Sequence, residues 1–172
     1  MSRAVLSIGS NIGDREAHLR SVVEALGRRA VAVSAVYSTA PWGGVEQQDF
    51  LNAVIVAEDA AFAPDDWLRF GRECEAAAER VRLERWGPRS LDLDIVDYRG
   101  LVRHWRGGHA KFDRAGPRPL ILPHPLVHER PFVLKPLLDI APSWRHPTLG
   151  LSARELWRRI SGRGQGRVLK RI

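Results

Sequence analysis

The order of strand-like and helix-like segments constrains the fold of this chain more than any other feature of its sequence. Residues 4–8 (AVLSI) predict a short buried strand, and residues 15–26 carry apolar side chains at helical spacing after Asp14, a good capping residue. Residues 30–39 and 51–57 are rich in small and β-branched residues and predict two strands that pair as a long-looped hairpin.

The next two segments complete a recurring order of elements. Pro64 opens a second helix that extends to about residue 81, and residues 91–98 predict a fourth strand. The order strand, helix, strand, strand, helix, strand is that of the ferredoxin-like split βαβ fold. We therefore expect an α+β protein with an antiparallel sheet covered by helices.

The C-terminal part of the sequence adds further elements to this core. Residues 119–142 are punctuated by prolines and predict short helical pieces, and Ser152 with Glu155 forms a capping box for a last helix. Residues 103–118 hold many glycines and charges, which predicts a surface loop insertion, and residues 161–172 form a basic tail.

Composition favours a single globular domain over residues 1–172, because 44% of the residues are hydrophobic and 27% are charged. The net charge of +7 comes almost entirely from arginine, which indicates either a phosphorylated partner or simply arginine-rich codon usage. Cys74 is the only cysteine, which excludes an internal disulfide and a cysteine-based zinc cluster. Without a signal peptide or a long apolar run, we expect a cytoplasmic protein with no membrane partner.

Two aspartates, Asp92 and Asp94, interrupt the apolar run of the fourth predicted strand. Side chains two residues apart in a strand share a face, so the two carboxylates should lie about 7 Å apart. Asp97 is an odd number of residues away, and we expect it on the opposite face in a structural role. A close carboxylate pair suits Mg²⁺ bound together with substrate phosphates, although an exposed strand edge or pairing with arginines would also explain it.

An arginine cluster directly precedes this acid pair. It contains four arginines, interrupted by Trp86 and a Gly-Pro pair: Arg80, Arg82, Arg85 and Arg89. Glycine and proline predict a loop, in which several guanidinium groups can converge on one anion. Acids for a metal beside arginines for phosphate are typical of phosphoryl transfer. No GxxxxGK[ST] motif is present, so the nucleotide site is not a P-loop.

Four segments resemble the 6-hydroxymethyl-7,8-dihydropterin pyrophosphokinase family over roughly residues 4–160. They are RVRLERWGPRSLDLDI, LSIGSNIGD, YSTAPWG followed by QQDFLNAV, and LPHPLVHERPFVLKPL. The resemblance implies transfer of the diphosphate of ATP to the hydroxymethyl group of the pterin, with release of AMP, in folate biosynthesis. It also implies ATP as co-substrate, two Mg²⁺ ions and a monomer with small-molecule substrates and no nucleic-acid partner.

The resemblance further implies roles for individual residues in catalysis and ATP binding. Asp92 and Asp94 match the aspartates that hold the two Mg²⁺ ions. Arg80, Arg82 and Arg89 match arginines that bind the triphosphate, with Arg80 and Arg89 tied to catalysis. The other positions that match ATP contacts are Glu75, Trp86 on a mobile loop, His124 and Arg130.

A second group of residues matches the pterin site of the family. Phe50 and Phe132 match the two aromatic rings that sandwich the flat pterin, a geometry that stacking favours. Asn52 matches the residue that recognises the pterin edge, because an amide offers a donor and an acceptor together. The pocket lining also includes Thr39, Pro41 and Trp42.

Some positions depart from the family pattern. Pro119 stands where some relatives have an arginine that contacts the nucleotide, with Arg118 as a possible substitute, and Arg72 replaces a frequent glutamine. Two other functions and a zinc site agree less well with the sequence. A nucleotide-sugar glycosyltransferase would need a sugar site for which no residues stand out, and an RNA-binding module would need stacking aromatics that LNAVIVA lacks. A zinc pair of His124 and His128 would lack further ligands.

Overall fold

The computed structural model describes residues 3–42, 46–78, 90–106, 119–162 and 166–172. The strands in these ranges are β1 (Arg3–Ser10), β2 (Ala30–Val33), β3 (Tyr37–Thr39), β4 (Phe50–Glu58), β5 (Asp92–Tyr98) and β6 (Val168–Arg171). The helices are α1 (Arg15–Leu26), α2 (Pro64–Ala77), α3 (Pro131–Ile140) and α4 (Ala153–Ile160), with short 3-10 turns at Gly27–Arg29 and Val127–Glu129. No helix in these ranges is long and apolar enough to cross a membrane.

The strands form one antiparallel sheet in the order β5-β1-β4-β3-β6, and β2 pairs with the other half of β4. β1 and β4 lie at the centre, and α1 and α2 each connect two parallel strands that are separated by one antiparallel neighbour. This is the ferredoxin-like arrangement, so the predicted fold class is confirmed. Asp14 caps α1 by accepting the N–H of Ala17.

The single strand predicted for residues 30–39 is wrong, because this segment contains two strands separated by a bulge. Val33 pairs with Ile55 and Tyr37 pairs with Asn52, so three residues on one side oppose two on the other. At the break the hydroxyl of Ser34 accepts the Val54 N–H at 2.9 Å in place of a backbone carbonyl. Both strands still pair with β4, as the hairpin prediction requires.

The sheet has an apolar core on each face, and the alternation of β1 shows how the two are divided. Ala4, Leu6 and Ile8 pack on the face that α1 and α2 cover, together with Leu93 of β5. Val5 points to the opposite face, where the core is completed by α3 and α4. Successive residues of each central strand therefore belong to different layers.

The C-terminal tail contributes a strand to this sheet. β6 pairs with β3, with Tyr37 opposite Arg171 and Thr39 opposite Val168. The basic side chains of the predicted tail thus lie on an edge strand beside the end of β3. The predicted loop insertion falls mostly on residues 107–118, which lie outside the described ranges, while Arg103 pairs with Leu122 at its base.

Candidate active site

The candidate active site lies on the α3 and α4 face of the sheet, at the end where the apolar core stops. Ser7 of β1 is opposite Asp94, and Gly9 is opposite both Asp92 in β5 and Asn52 in β4. Directly paired residues share a face, so these side chains lie on the same side as Val5. Both aspartates are half-buried. The register therefore brings the acid pair and the predicted pterin residue onto one surface.

The prediction that Asp97 lies on the opposite face from Asp92 and Asp94 is wrong. β5 pairs Ile95 with Leu6 and Asp97 with Val5, so Val96 is an extra residue and forms a bulge. The bulge reverses the alternation and turns Asp97 to the same face as Asp94. Asp97 is nevertheless buried, and one carboxylate oxygen accepts the N–H of Gly100 at 3.2 Å. Burial raises the pKa of Asp97, while the Gly100 N–H and the Trp144 indole act to lower it.

Arg130 connects the acid pair to the start of α3. Its Nη1 donates to Asp94 Oδ2 at 3.1 Å, and the arginine residue is only 6% exposed. Burying a guanidinium group is costly unless the charge is paired, so this ion pair fixes the direction in which Arg130 points. The structure thus places one predicted ATP contact directly on one predicted metal ligand.

His124 lies against the same carboxylate. Its backbone N–H donates to the Val96 carbonyl at 2.8 Å, which attaches the segment before α3 to β5. The ring Nδ1 accepts the N–H of Leu126 at 3.1 Å, and Nε2 lies 3.3 Å from Arg130 Nη1 and 3.7 Å from Asp94 Oδ2. Burial, followed by the charge of Arg130, lowers the pKa of His124 well below its ordinary value, against an opposing effect of Asp92.

Glu75, near the end of α2, approaches the acid pair from the opposite layer. Its Oε1 accepts the backbone N–H of Leu93 at 3.1 Å, and Leu93 lies between Asp92 and Asp94. This hydrogen bond positions the first residues of β5 relative to α2. Glu75 therefore contacts the backbone that carries the acid pair.

The predicted pterin residues also come together, at the adjoining ends of β3 and β4. The amide Nδ2 of Asn52 donates to the Thr39 hydroxyl at 2.6 Å, and both residues are buried. Thr39 pairs across the strands with Phe50, which lies at the start of β4 and is half-buried. A Cβ on Gly9 would lie 2.5 Å from Asn52 Oδ1, so the glycine provides the space that this amide occupies.

Trp42 and Phe132, two further predicted pterin residues, pack against each other. Their ring centroids are 5.9 Å apart at an interplanar angle of 67°, an edge-to-face contact. The guanidinium carbon of Arg130 lies 5.4 Å from the Phe132 centroid and 5.8 Å from that of Trp42. Arg130 thus contacts the aromatic pair and the acid pair at once, and the two predicted subsites are neighbours.

Several predicted site residues cannot be placed in this geometry. Arg80, Arg82, Trp86 and Arg89 lie in residues 79–89, outside the described ranges. Sequence reasoning also missed Gly9, although a glycine inside a buried strand is a known sign of close approach by another group. Its contact with Asn52 depends on the pairing of β1 with β4, which the local sequence does not reveal.

The chemistry of the donor set suits a hard divalent cation that is shared with a substrate. Within the described ranges, no group of three or more histidine, cysteine, aspartate or glutamate side chains is arranged to hold a metal ion. This argues against a closed protein site, including one built on His124 and His128. Two carboxylates on one strand face instead match the usual Mg²⁺ pattern, in which phosphate oxygens and water supply the remaining ligands.

Comparisons with known proteins agree with this architecture. The chain is 48% identical over 144 residues to 2-amino-4-hydroxy-6-hydroxymethyldihydropteridine pyrophosphokinase from Mycobacterium tuberculosis, covering 83% of this chain and 74% of that protein. The protein of the same name from Methylorubrum extorquens is 45% identical, with 83% and 84% covered. The crystal structure of Plasmodium falciparum HPPK-DHPS with SDX-DHP is similar in fold, with a TM-score of 0.66 at 14% identity over 92% of this chain. This chain spans less than half of that one, at 43%.

A sequence model of one family also matches the chain directly, over residues 5–142. The match includes the acid pair, Asn52, His124, Arg130 and Phe132, which the structure gathers at one end of the sheet. Together with the 48% and 45% identical relatives, it shows that this chain belongs to the 7,8-dihydro-6-hydroxymethylpterin-pyrophosphokinase (HPPK) family.

Proposed function

We propose that this protein transfers the diphosphate of ATP to the hydroxymethyl group of 6-hydroxymethyl-7,8-dihydropterin, with Asp92 and Asp94 as the metal ligands. The observation that carries the proposal is the position of Arg130. It contacts Asp94 on one side and the Phe132 and Trp42 rings on the other, so a charged subsite adjoins an aromatic one. Diphosphate transfer to a flat heterocycle needs this combination.

The bond changes define what each subsite must do. The pterin hydroxyl oxygen forms a bond to the β-phosphorus of ATP, the bond from that phosphorus to the oxygen bridging to the α-phosphorus breaks, and AMP leaves with that oxygen. The hydroxyl proton is lost to solvent or a nearby base. Most of the acceleration in such reactions comes from alignment and from neutralising phosphate charge.

The acid pair would hold Mg²⁺, two ions by analogy with the family pattern. Bound magnesium supplies charge neutralisation on the phosphate oxygens. Arg130, fixed by Asp94 and largely buried, provides a permanent positive charge at the boundary between the subsites. Glu75 holds the backbone of Leu93 and so keeps the two aspartates in register. Arg80, Arg82 and Arg89 would supply further contacts to the triphosphate.

His124 would lie beside the phosphates as a neutral ring held by Arg130 and the Leu126 backbone. Its Nδ1 accepts the Leu126 N–H, and its Nε2 lies near both Arg130 Nη1, at 3.3 Å, and Asp94 Oδ2, at 3.7 Å. Because burial and Arg130 lower the pKa of His124, the ring stays uncharged at neutral pH. It would therefore help to shape the nucleotide subsite without adding a charge to it.

The pterin would lie between Phe50 and Phe132 with its polar edge on Asn52. The bond from Asn52 to Thr39 fixes the orientation of the amide, so that the remaining donor and acceptor positions are set before the ligand arrives. Trp42 packs against the edge of Phe132 and supports the stacking ring. A cytoplasmic location, a monomeric state and the absence of nucleic-acid partners stay predictions from the sequence.

Two isosteric substitutions on the same strand test the assignment of the acid pair. Asp94→Asn should reduce AMP formation from ATP and the pterin by more than about a hundredfold, because charge stabilisation at the transferring phosphates is lost. Asp97→Asn is the matched control, since Asp97 lies on the same face but bonds to Gly100 instead. It should retain near-normal turnover. Comparable activity in both variants would rule out the proposed metal role of Asp94.

A further inference from the structure

The C-terminal segment lies against the proposed pterin pocket. The carbonyl of Arg167 accepts the N–H of Ala40 at 2.9 Å, directly after β3 ends at Thr39. β6 continues this pairing along β3, and the last residue, Ile172, donates to the carbonyl of Val36 at 2.8 Å. Hydrogen bonds at both ends therefore hold this segment beside the strand that leads into Pro41 and Trp42.

Gly166 is the point at which this segment meets the aromatic rings. It is buried, with a φ of +70°, and a Cβ at this position would lie 2.5 Å from Cδ1 and 2.9 Å from Cε1 of Phe132. The same Cβ would lie 3.0 Å from Cε3 of Trp42. A real Cβ essentially never lies less than 3.0 Å from a neighbouring atom, so a side chain at position 166 would force Phe132 or the segment itself to shift.

The ring of Phe132 is thereby confined on three sides. Gly166 lies against the Cδ1 and Cε1 edge of the ring. Trp42 contacts the ring edge to face with centroids 5.9 Å apart, and the guanidinium carbon of Arg130 lies 5.4 Å from the ring centroid. The backbone of Gly166 contributes no side chain, so the ring is seated directly on the main chain of the C-terminal segment. A ring supported in this way has little freedom to rotate or withdraw.

We propose that Gly166 is a positioning residue for pterin binding, through which the C-terminal segment acts as the outer wall of the pocket and fixes the ring of Phe132. This inference rests on the proposed function, because it assumes that Phe132 stacks on the pterin. It extends that function by assigning a role in substrate recognition to residues 166–172, whose sequence alone indicates a basic tail. The predicted metal ligand Asp94 lies on the other side of Arg130 from Phe132, so we expect ATP binding not to depend on Gly166.

Two alanine substitutions separate the ring contact from backbone strain. Gly166→Ala and Gly162→Ala both place alanine at a positive φ, +70° and +74°, but a Cβ at Gly162 has nothing within 4 Å. We expect Gly166→Ala to raise the Kd of the pterin about tenfold, measured by calorimetry with a nonhydrolysable ATP analogue. Gly162→Ala should stay within about twofold. The Kd of the ATP analogue alone should be unchanged in both.

Phe132→Ala distinguishes failure of this inference from failure of the proposed function. If Phe132→Ala weakens pterin binding while Gly166→Ala behaves like Gly162→Ala, the role of Gly166 is overturned and the pterin site stands. If Phe132→Ala itself leaves pterin binding unchanged, both are overturned. In a Phe132→Leu background, Gly166→Ala should add little further loss, because the ring through which it acts has been removed.

A measurement on the unmodified protein covers the case in which Gly166→Ala does not fold. Binding of the pterin with the ATP analogue should slow hydrogen exchange at the Ala40 amide, which is bonded to Arg167, by pressing Phe132 onto the segment. The amides of β2, which pairs with the other half of β4, should be unaffected. An Ala40 amide whose exchange rate does not change would overturn the proposed wall.

Discussion

His146 provides a sharp test of the structure through the pH dependence of folding. The residue is fully buried, and its Nδ1 accepts the N–H groups of Thr148 and Leu149 at 3.2 and 3.0 Å. The rings that pack around the imidazole are those of Trp105, His128 and Trp144. Burial lowers the pKa of His146 from 6.5 to about 4, and the charge of a protonated His128 acts in the same direction.

The sign of the effect follows from this lowered pKa. The folded state disfavours the protonated ring, so the contribution to stability is present above pH 6.5 and is lost as the pH falls toward about 4. With pKa values of 6.5 in the unfolded state and about 4 in the folded state, proton linkage lowers the free energy of unfolding by about 2 kcal/mol between pH 7 and pH 5. For a chain of this size that corresponds to a fall in Tm of about 4 to 8 °C.

The substitution His146→Asn isolates this contribution. An asparagine oxygen can accept the same two backbone N–H groups, and the amide does not titrate. Urea unfolding at both pH values should therefore show the wild-type protein losing about 2 kcal/mol more than the variant. His124, whose pKa is also lowered by burial, titrates in both proteins and cancels in the comparison. A variant that loses as much stability as the wild type would refute the reasoning.

Other contacts give further expectations. Tyr37→Phe removes a hydroxyl that donates to both carboxylate oxygens of Asp139 at 3.0 and 2.8 Å, and should lower the free energy of unfolding by about 1.5 kcal/mol. An unchanged urea midpoint would contradict this. Ser152→Ala removes the cap of α4 and should cost about 1 kcal/mol, whereas Ser152→Thr, which keeps a hydroxyl, should cost less. Gly9→Ala should displace the amide of Asn52 and weaken pterin binding but not ATP binding, so equal weakening of both would count against the assigned pocket.

Much of the fold can be predicted from the sequence, because its signals are local. The order of strands and helices, the cap at Asp14 and the capping box of Ser152 and Glu155 each depend on a few consecutive residues, and the structure confirms them. The same holds for Asp92 and Asp94, whose shared face follows from their spacing. The family motifs also selected residues far apart in the chain that prove to be neighbours.

Register and long-range contact are what only the tertiary structure decides. Asp97 faces the same side as Asp94 because of an extra residue in β5, and a bulge leaves no signal in the alternation of polar and apolar residues. The bond from Arg130 to Asp94 spans 36 positions, and Gly166 reaches Phe132 only because β6 pairs with β3. Local sequence sets which residues can form a strand, but the packing of the whole sheet determines which residues meet across it.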